Sequence, residues 1–333
     1  MEKHIISCDW GSTSFRLRLV DRTNQAVLSE VLTDEGIIFT FNAYQANAAH
    51  SNLSRKQYFL EQLKTNLSVL SNKSSVDLSG LDIVISGMAS ASIGMHELPY
   101  ADLPFATDGS QARVQIFEAE ESFQNRIILI SGVKSDSDVM RGEEAQLIGL
   151  VQLLGINTPT ETVFILPGTH SKHLSVRADK LVDIQTFMTG ELYNILTHHS
   201  ILKDSVDVNV PEELSAEDKE AFVRGVHNSA SVNILNSLFS VRTNQLFNKL
   251  GKKQNALYLS GLLMGNELAG LQKHEDVPLI LCTGGAVHKL YRLAFECLGL
   301  LTRTTIVPAD VLSRATIAGQ IIIAQNNTPL YEN

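Results

Sequence analysis

The chain has 333 residues, more than one hydrophobic core usually holds, which predicts two domains. Hydrophobic residues make up 44% and charged ones 19%, a balance that argues against a disordered chain and suits a compact enzyme. A net charge of -9 with no Lys/Arg cluster argues against nucleic acid and anionic membrane as partners, although a few local cations suffice for a small anionic substrate.

The polar start at Glu2, Lys3 and His4 leaves no room for a signal peptide. No apolar stretch approaches the ~18 residues of a membrane span. Cys8, Cys282 and Cys297 lie in apolar surroundings and read as reduced core thiols, so the cytoplasm is the expected location.

In chain order, Ile5–Cys8 is a compact apolar run and Phe15–Val20 alternates apolar and basic residues, the period of a half-buried strand. Between them lies Asp9-Trp10-Gly11-Ser12-Thr13-Ser14. A hairpin tip of Gly, Ser and Thr offers backbone N–H groups and hydroxyls to phosphate oxygens. Asp9, ending the first strand, is placed to hold a hydrated Mg²⁺ beside them; the alternative is an ordinary polar turn. Ala26–Val31 supplies a third strand, and the Asn- and Ala-rich stretch from Glu35 to Ser54 carries no clear pattern.

Arg55–Leu70 is an amphipathic helix, with Phe59, Leu63, Leu67 and Leu70 on one side. Ile83–Ile85 is a buried strand followed by a long loop, Ala89–Phe105, that contains Ser90 and Ser92. Ile127–Ile130 is another buried strand, and Gly142-Glu143-Glu144 opens a helix reaching about Leu154. Val163–Leu166, the turn Pro167–Lys172 and the return strand His173–Val176 then repeat the opening order of elements. Gly168-Thr169-His170-Ser171 aligns with Gly11-Ser12-Thr13-Ser14, an internal duplication.

Helices are expected at about Glu191–His199 and Glu217–Phe239. Two strand–Gly–helix units follow, Ala256–Leu259 with Ser260-Gly261 and Leu279–Cys282 with Thr283-Gly284-Gly285. A last helix spans about Ser313–Ala324, and the tail from Asn326 is expected to fray. Strands alternating with helices make this an α/β chain.

Two hairpin phosphate loops, one opening each half, resemble the sugar kinase, heat-shock ATPase and actin superfamily. The stretches Asp9–Arg16, Ser86–Tyr100, Asp138–Gly149, Leu166–His173 and Thr186–Leu196 together resemble the 2-dehydro-3-deoxygalactonokinase family, from Ile5 to about Gln325. Leu166 stands where many members of the superfamily carry a second Asp.

The resemblance implies a duplicated two-domain, actin-like (ribonuclease H-like) fold with an interdomain cleft. Residues 1–135 would form one domain and 136–312 a nucleotide-binding domain, with helix 313–325 packing back on the first half. It also implies ATP and Mg²⁺ as cofactors, with transfer to the terminal hydroxyl of a 2-keto-3-deoxy sugar acid.

Phosphoryl transfer needs positioning and charge stabilisation more than covalent help. Gly11, Ser12, Thr13 and Ser14 would grip the phosphates together with Gly168, Thr169, Ser171 and Lys172, the alternative for Lys172 being a solvated turn lysine. Of the two later glycine turns, Gly284 and Gly285 are favoured over Gly261 to cradle adenosine; the alternative is that both are plain strand–helix junctions. The proton acceptor is sought at the helix start, in Glu143, then Asp138, then Glu144; the alternative is that all three are capping acids. Arg16, Arg141, Ser90 and Ser92 are candidates for the substrate carboxylate. Glu191 would reach Mg²⁺ through water or merely cap its helix.

The rival readings are an exopolyphosphatase-like phosphohydrolase, prompted by Gly-Glu-Glu-Ala-Gln, a kinase of another sugar or sugar acid, and a non-catalytic sugar sensor. The sequence leaves the oligomeric state open, with a homodimer among the candidates.

Overall fold

The computed structural model describes residues 3–47, 52–209, 213–231, 233–273 and 276–327. The first part of the chain runs β1 (His4–Trp10), β2 (Phe15–Asp21), β3 (Val27–Thr33), α1 (Ile37–Asn47), α2 (Arg55–Asn72), β4 (Ile83–Gly87), β5 (Ala101–Asp102), β6 (Phe105–Ala106), β7 (Val114–Phe117), β8 (Ile127–Ile130), β9 (Val133–Lys134), β10 (Val139–Met140) and α3 (Glu143–Leu154). It continues with β11 (Thr162–Leu166), β12 (Ser171–Arg177), β13 (Lys180–Phe187), α4 (Thr189–His199), α5 (Ala216–Ser231), α6 (Ile234–Leu246), α7 (Lys252–Leu268), β14 (Leu279–Leu281), α8 (Gly285–Cys297), β15 (Thr304–Ile306) and α9 (Ala309–Asn327).

The chain divides into two compact units. The first comprises the residues up to Pro159, Arg177–Ile184 and the chain from Asp310; the second comprises Thr160–Val176 and Gln185–Ala309. The division thus falls after Pro159, not at 136. The reason is α3, whose backbone meets that of α9: a Cβ on Gly149 would lie 1.8 Å from the Ala315 carbonyl oxygen, and one on Gly319 1.7 Å from that of Ala145. Only glycine allows two helix backbones to meet so closely.

In the first unit a six-stranded sheet has the order β3-β2-β1-β4-β8-β7. Strands β1, β4 and β8 run parallel, β2 and β3 extend the sheet as antiparallel neighbours, and Asp9 sits in register with both Arg16 and Ser86. Trp10, Phe15 and Phe59 meet in the core, the Trp10 and Phe15 rings edge-to-face at 4.9 Å.

In the second unit the order β15-β14-β11-β12 continues to β13, whose end Gln185–Phe187 belongs here. Strand β11 is antiparallel to β12 and parallel to β14. The sequence β13-β12-β11-β14-β15 therefore repeats β3-β2-β1-β4-β8, and the duplication read from the turns extends to the sheets.

Three expectations are corrected. Ala256–Leu259 is not a strand but part of α7, a helix buried on nearly every side. A Cβ on Gly225 would come within 2.2 Å of the Tyr258 carbonyl oxygen, and one on Gly261 within 2.2 Å of that of Phe222, so α5 and α7 pack backbone to backbone. A helix covered all round shows no amphipathic period, which is why it read as a strand. Glu217–Phe239 is two helices, α5 and α6. The stretch without a pattern contains α1. Asn326 and Asn327 close α9, and the rest of the expected frayed tail lies outside the described residues.

Candidate active site

The tip of the first hairpin is closed by the Gly11 N–H donating to the Ser14 carbonyl at 2.9 Å. The start of α1 braces it from behind. The Ile37 N–H donates to the Gly11 carbonyl at 2.9 Å, and the Ile38 N–H to that of Ser12 at 3.1 Å. Gly36 lies so close that a Cβ there would meet the Ser12 oxygen and the Thr13 nitrogen at 2.5 Å. A helix start has N–H groups without intrahelical partners, and here two of them occupy the carbonyls of the turn. What the tip offers a ligand is N–H groups and hydroxyls, with Thr13 exposed.

Asp9 precedes this tip. Its carboxyl is pushed above the ordinary carboxylate value by surrounding protein, while Arg16 and Arg18 pull it down. Arg16 Nη1 stands 3.4 Å from Asp9 Oδ2 and its Nε 3.9 Å from Glu30, so this arginine, expected to bind substrate, serves as a counter-ion to Asp9. Gln320 of α9 donates from Nε2 to the Cys8 carbonyl and to Ser86 Oγ, both at 2.8 Å, holding the strand at the base of Asp9.

The ends of β1 and β4 carry the start of α3. Gly87 has φ +92°, and a Cβ there would lie 2.6 Å from the Trp10 oxygen; a Cβ on Gly142, φ +107°, would lie 3.3 Å from Gly87 Cα. This stacking of glycines brings Glu143 and Glu144 to the strand end that carries Asp9.

The three candidate acids separate by environment. Glu144 is buried, both its oxygens face the Gly142 N–H at 2.7 and 2.9 Å, and burial pushes its carboxyl up to about 8, with Glu143 adding to the rise. The partial positive charge of a helix start favours an ionised acid, but at Glu144 desolvation wins. Asp138 accepts the Val139 N–H at 2.7 Å and its own N–H donates to Ser135 Oγ at 2.9 Å, the bonding of a turn cap between β9 and β10. Glu143 sits half-buried in the first turn of α3.

Arg141 is pinned: Nη1 donates to Ser90 Oγ at 2.8 Å, Nη2 to the Leu98 carbonyl at 2.9 Å, and the guanidinium lies 3.9 Å from the Tyr100 ring centre. Ser90 is fully buried, so its hydroxyl orients Arg141 and does not face a ligand. Ser92 is exposed, and its carbonyl accepts from Arg55 at 2.6 Å.

In the second unit, Gly168, Thr169 and His170 form the exposed tip. The start of α4 braces it as α1 braces the first: the Glu191 N–H donates to the Thr169 carbonyl at 3.0 Å, and a Cβ on Gly190 would lie 2.6 Å from the Gly168 oxygen. Ser171, expected on phosphate, is fully buried and bonded to the Tyr291 hydroxyl at 3.0 Å. Lys172 is also buried, its Nζ 3.5 Å from the His170 carbonyl. Glu191, expected at the metal, meets His170 Nε2 at 2.5 Å. Gly284 caps α8 at the end of β14, and Gly285, at φ +64°, opens onto free space. Sequence reasoning missed Gly36, Gly190, Gln320, Glu267 and Tyr291.

Among the described residues no cluster of three or more His, Cys, Asp or Glu could hold a metal on its own. A Mg-nucleotide needs no such cluster, because one or two carboxylates with phosphates and water complete the coordination. Asp9 beside the Gly11–Ser14 tip fits that donor set.

A duplicated sheet with a braced Gly/Ser/Thr hairpin tip in each half defines an actin-like fold of the sugar kinase class. A model of the 2-keto-3-deoxy-galactonokinase family matches residues 9–320, and the chain belongs to this family. It is 32% identical over 317 residues to "Probable 2-dehydro-3-deoxygalactonokinase DgoK1" of Rhizobium meliloti, covering 93% of this chain and 94% of the relative. It is 31% identical over 244 residues to the 2-dehydro-3-deoxygalactonokinase of Escherichia coli, covering 71% and 76%. A crystal structure assigned to a 2-dehydro-3-deoxygalactonokinase protein of Sinorhizobium meliloti superposes with a TM-score of 0.77 at 31% identity, covering 99% of this chain and 98% of that one. The protein is a carbohydrate kinase, a phosphotransferase that uses ATP. No described helix is long and apolar enough to cross a membrane.

Proposed function

We propose that the protein transfers the γ-phosphoryl group of Mg-ATP to the 6-hydroxyl of 2-dehydro-3-deoxy-D-galactonate, giving the 6-phosphate and ADP in galactonate catabolism. The observation that carries this reading is the stacking of Gly142 on Gly87 and of Gly87 on Trp10, which sets Glu143 at the strand end bearing Asp9 and the Gly11–Ser14 tip.

Glu143 accepts the proton of the sugar hydroxyl as its oxygen attacks phosphorus and the bond to the ADP oxygen breaks. Asp9 would hold Mg²⁺, which would supply positive charge to the phosphate oxygens. The N–H groups and hydroxyls at Gly11–Ser14 stabilise phosphate oxygens, and the Gly168–His170 tip has the same chemistry to offer. Arg141, pre-set by Ser90 and Tyr100, offers a guanidinium to the substrate carboxylate. Gly284 and Gly285 leave room for adenosine.

A coupled ADP-release assay against 2-keto-3-deoxygalactonate, 2-keto-3-deoxygluconate and neutral hexoses tests the reading. Turnover confined to a keto-deoxy acid is expected; ADP release without an acceptor would replace the kinase by a hydrolase. Glu143→Gln is expected to keep ATP binding and lower kcat by about 10²- to 10⁴-fold.

A further inference from the structure

The second unit holds a buried polar chain that the proposed chemistry does not use. Glu267, on α7, is 2% exposed. Its carboxylate accepts from the Tyr291 hydroxyl at 2.9 and 3.1 Å, from Thr189 Oγ1, and faces His173 Nε2 at 3.2 Å. Because the phenol proton points at Glu267, the Ser171 hydroxyl is left to donate to the Tyr291 oxygen, and Ser171 Oγ in turn faces the Gly168 N–H at a long 3.5 Å. Donation runs in one line, from the Gly168 N–H through Ser171 and Tyr291 to the accepting Glu267 carboxylate. Burial and the neighbouring carboxylate push the Tyr291 phenol up, which keeps it a donor.

A second arm reaches the same tip from the other side. Thr189 opens α4; Gly190 presses on the Gly168 carbonyl, and the Glu191 N–H donates to the Thr169 carbonyl. Both ends of the exposed Gly168–His170 tip therefore hang from one buried carboxylate. Tyr291 also belongs to α8, whose start carries Gly284 and Gly285.

The two halves of the duplication differ here. The first tip is closed by its own backbone, Gly11 to Ser14, and at the matching place in the second tip the Ser171 side chain is drawn inward to Tyr291. A carboxylate is costly to bury unless its partners are in place, and a fully satisfied polar network is rigid. That rigidity is delivered at a turn whose sequence is Gly-Thr-His and whose sides are exposed.

We propose that Glu267 and Tyr291 are positioning residues of the phosphoryl-transfer site, which fix the shape of the Gly168–His170 tip and so set affinity for the nucleotide phosphates. The proposal rests on reading that tip as a phosphate turn, and its test uses Mg-ATP binding by calorimetry, which is independent of the acceptor sugar.

Tyr291→Phe removes one oxygen and leaves the ring in its apolar cluster. It is expected to keep the native circular dichroism and to weaken Mg-ATP binding about ten- to a hundred-fold, a loss read also in KM for ATP with KM for the sugar unchanged. Thr189→Val cuts the other arm and is expected to do the same, and Glu267→Gln, which keeps an acceptor oxygen, to retain part of the affinity. Ser171→Ala combined with Tyr291→Phe is expected to cost no more than either alone, since both cut one line; additive losses would mean that Ser171 touches phosphate itself and would overturn the assignment. Variants with a lowered melting temperature but unaltered affinity and kinetics would reduce the network to a structural one. Wild-type protein that fails to bind Mg-ATP would remove the phosphate turn and this role with it.

Discussion

Replacing Glu144 by Gln turns the environment of one buried carboxyl into a measurable pH profile. In the folded protein this group is pushed up to about 8 from an ordinary 4.5. A folded value above the unfolded one means that the favourable contribution is complete below about 4.5 and is lost as pH rises through about 8. At 1.36 kcal/mol per pH unit the gap amounts to roughly 5 kcal/mol once the group is ionised in both states, and about 3 of that is already felt at pH 7. Glu144→Gln keeps the shape and an acceptor for the Gly142 N–H but cannot ionise. Trp10 is the sole tryptophan and lies buried in the same unit, so its emission during urea unfolding reports the unit concerned. The two proteins should be about equally stable at pH 5, with the variant pulling ahead by several kcal/mol at pH 8.5. Midpoints that fall in parallel across this range would refute the argument, and with it the idea that desolvation outweighs the helix start at this position.

Three further outcomes follow from the backbone contacts. Gly319→Ala puts a methyl group 1.7 Å from the Ala145 carbonyl oxygen and should destabilise the first unit by roughly 2–4 kcal/mol, read from Trp10 unfolding; an unchanged midpoint would deny the close crossing of α3 and α9. Gly36→Ala pushes on Ser12 and Thr13 and should lower kcat/KM for ATP by about 10²-fold, whereas normal kinetics would show that α1 does not set the tip. Gln320→Leu removes the amide that ties α9 to the Cys8 carbonyl and to Ser86 Oγ and should cost roughly 1–3 kcal/mol by the same unfolding measurement; a neutral result would mean that the tether adds nothing to the strand pairing already there.

The sequence was most legible where the chemistry is local. Alternation in Phe15–Val20 and the Gly/Ser/Thr turn sufficed to place the first hairpin, and the repeated order of elements sufficed to place the second. It was least legible where partners come from far along the chain. Ser90 and Ser171 looked like ligand hydroxyls because nothing nearby in sequence announces Arg141 or Tyr291. Arg16 looked available because its partner Asp9 sits across the hairpin, although the pairing register of a two-stranded turn could have found it. Gly36 and Gly190 had a signal: each follows the third strand of its half and opens the next helix. Glu267 had one too, as a lone acid ending the apolar run Ala256–Met264, where a carboxylate must find buried partners.

The placement of α9 also bears on how the protein is made. The first unit draws on the chain up to Pro159 and again from Asp310, with the bulk of the second unit encoded between. During vectorial synthesis the sheet that carries Asp9 leaves the ribosome early, yet its Gln320 tether and the glycine seat for α3 arrive only after the second unit has been translated. Until α9 is made, the flank of α3 that Gly319 seats is without its cover. That interval is the time in which a chaperone would find the most to bind.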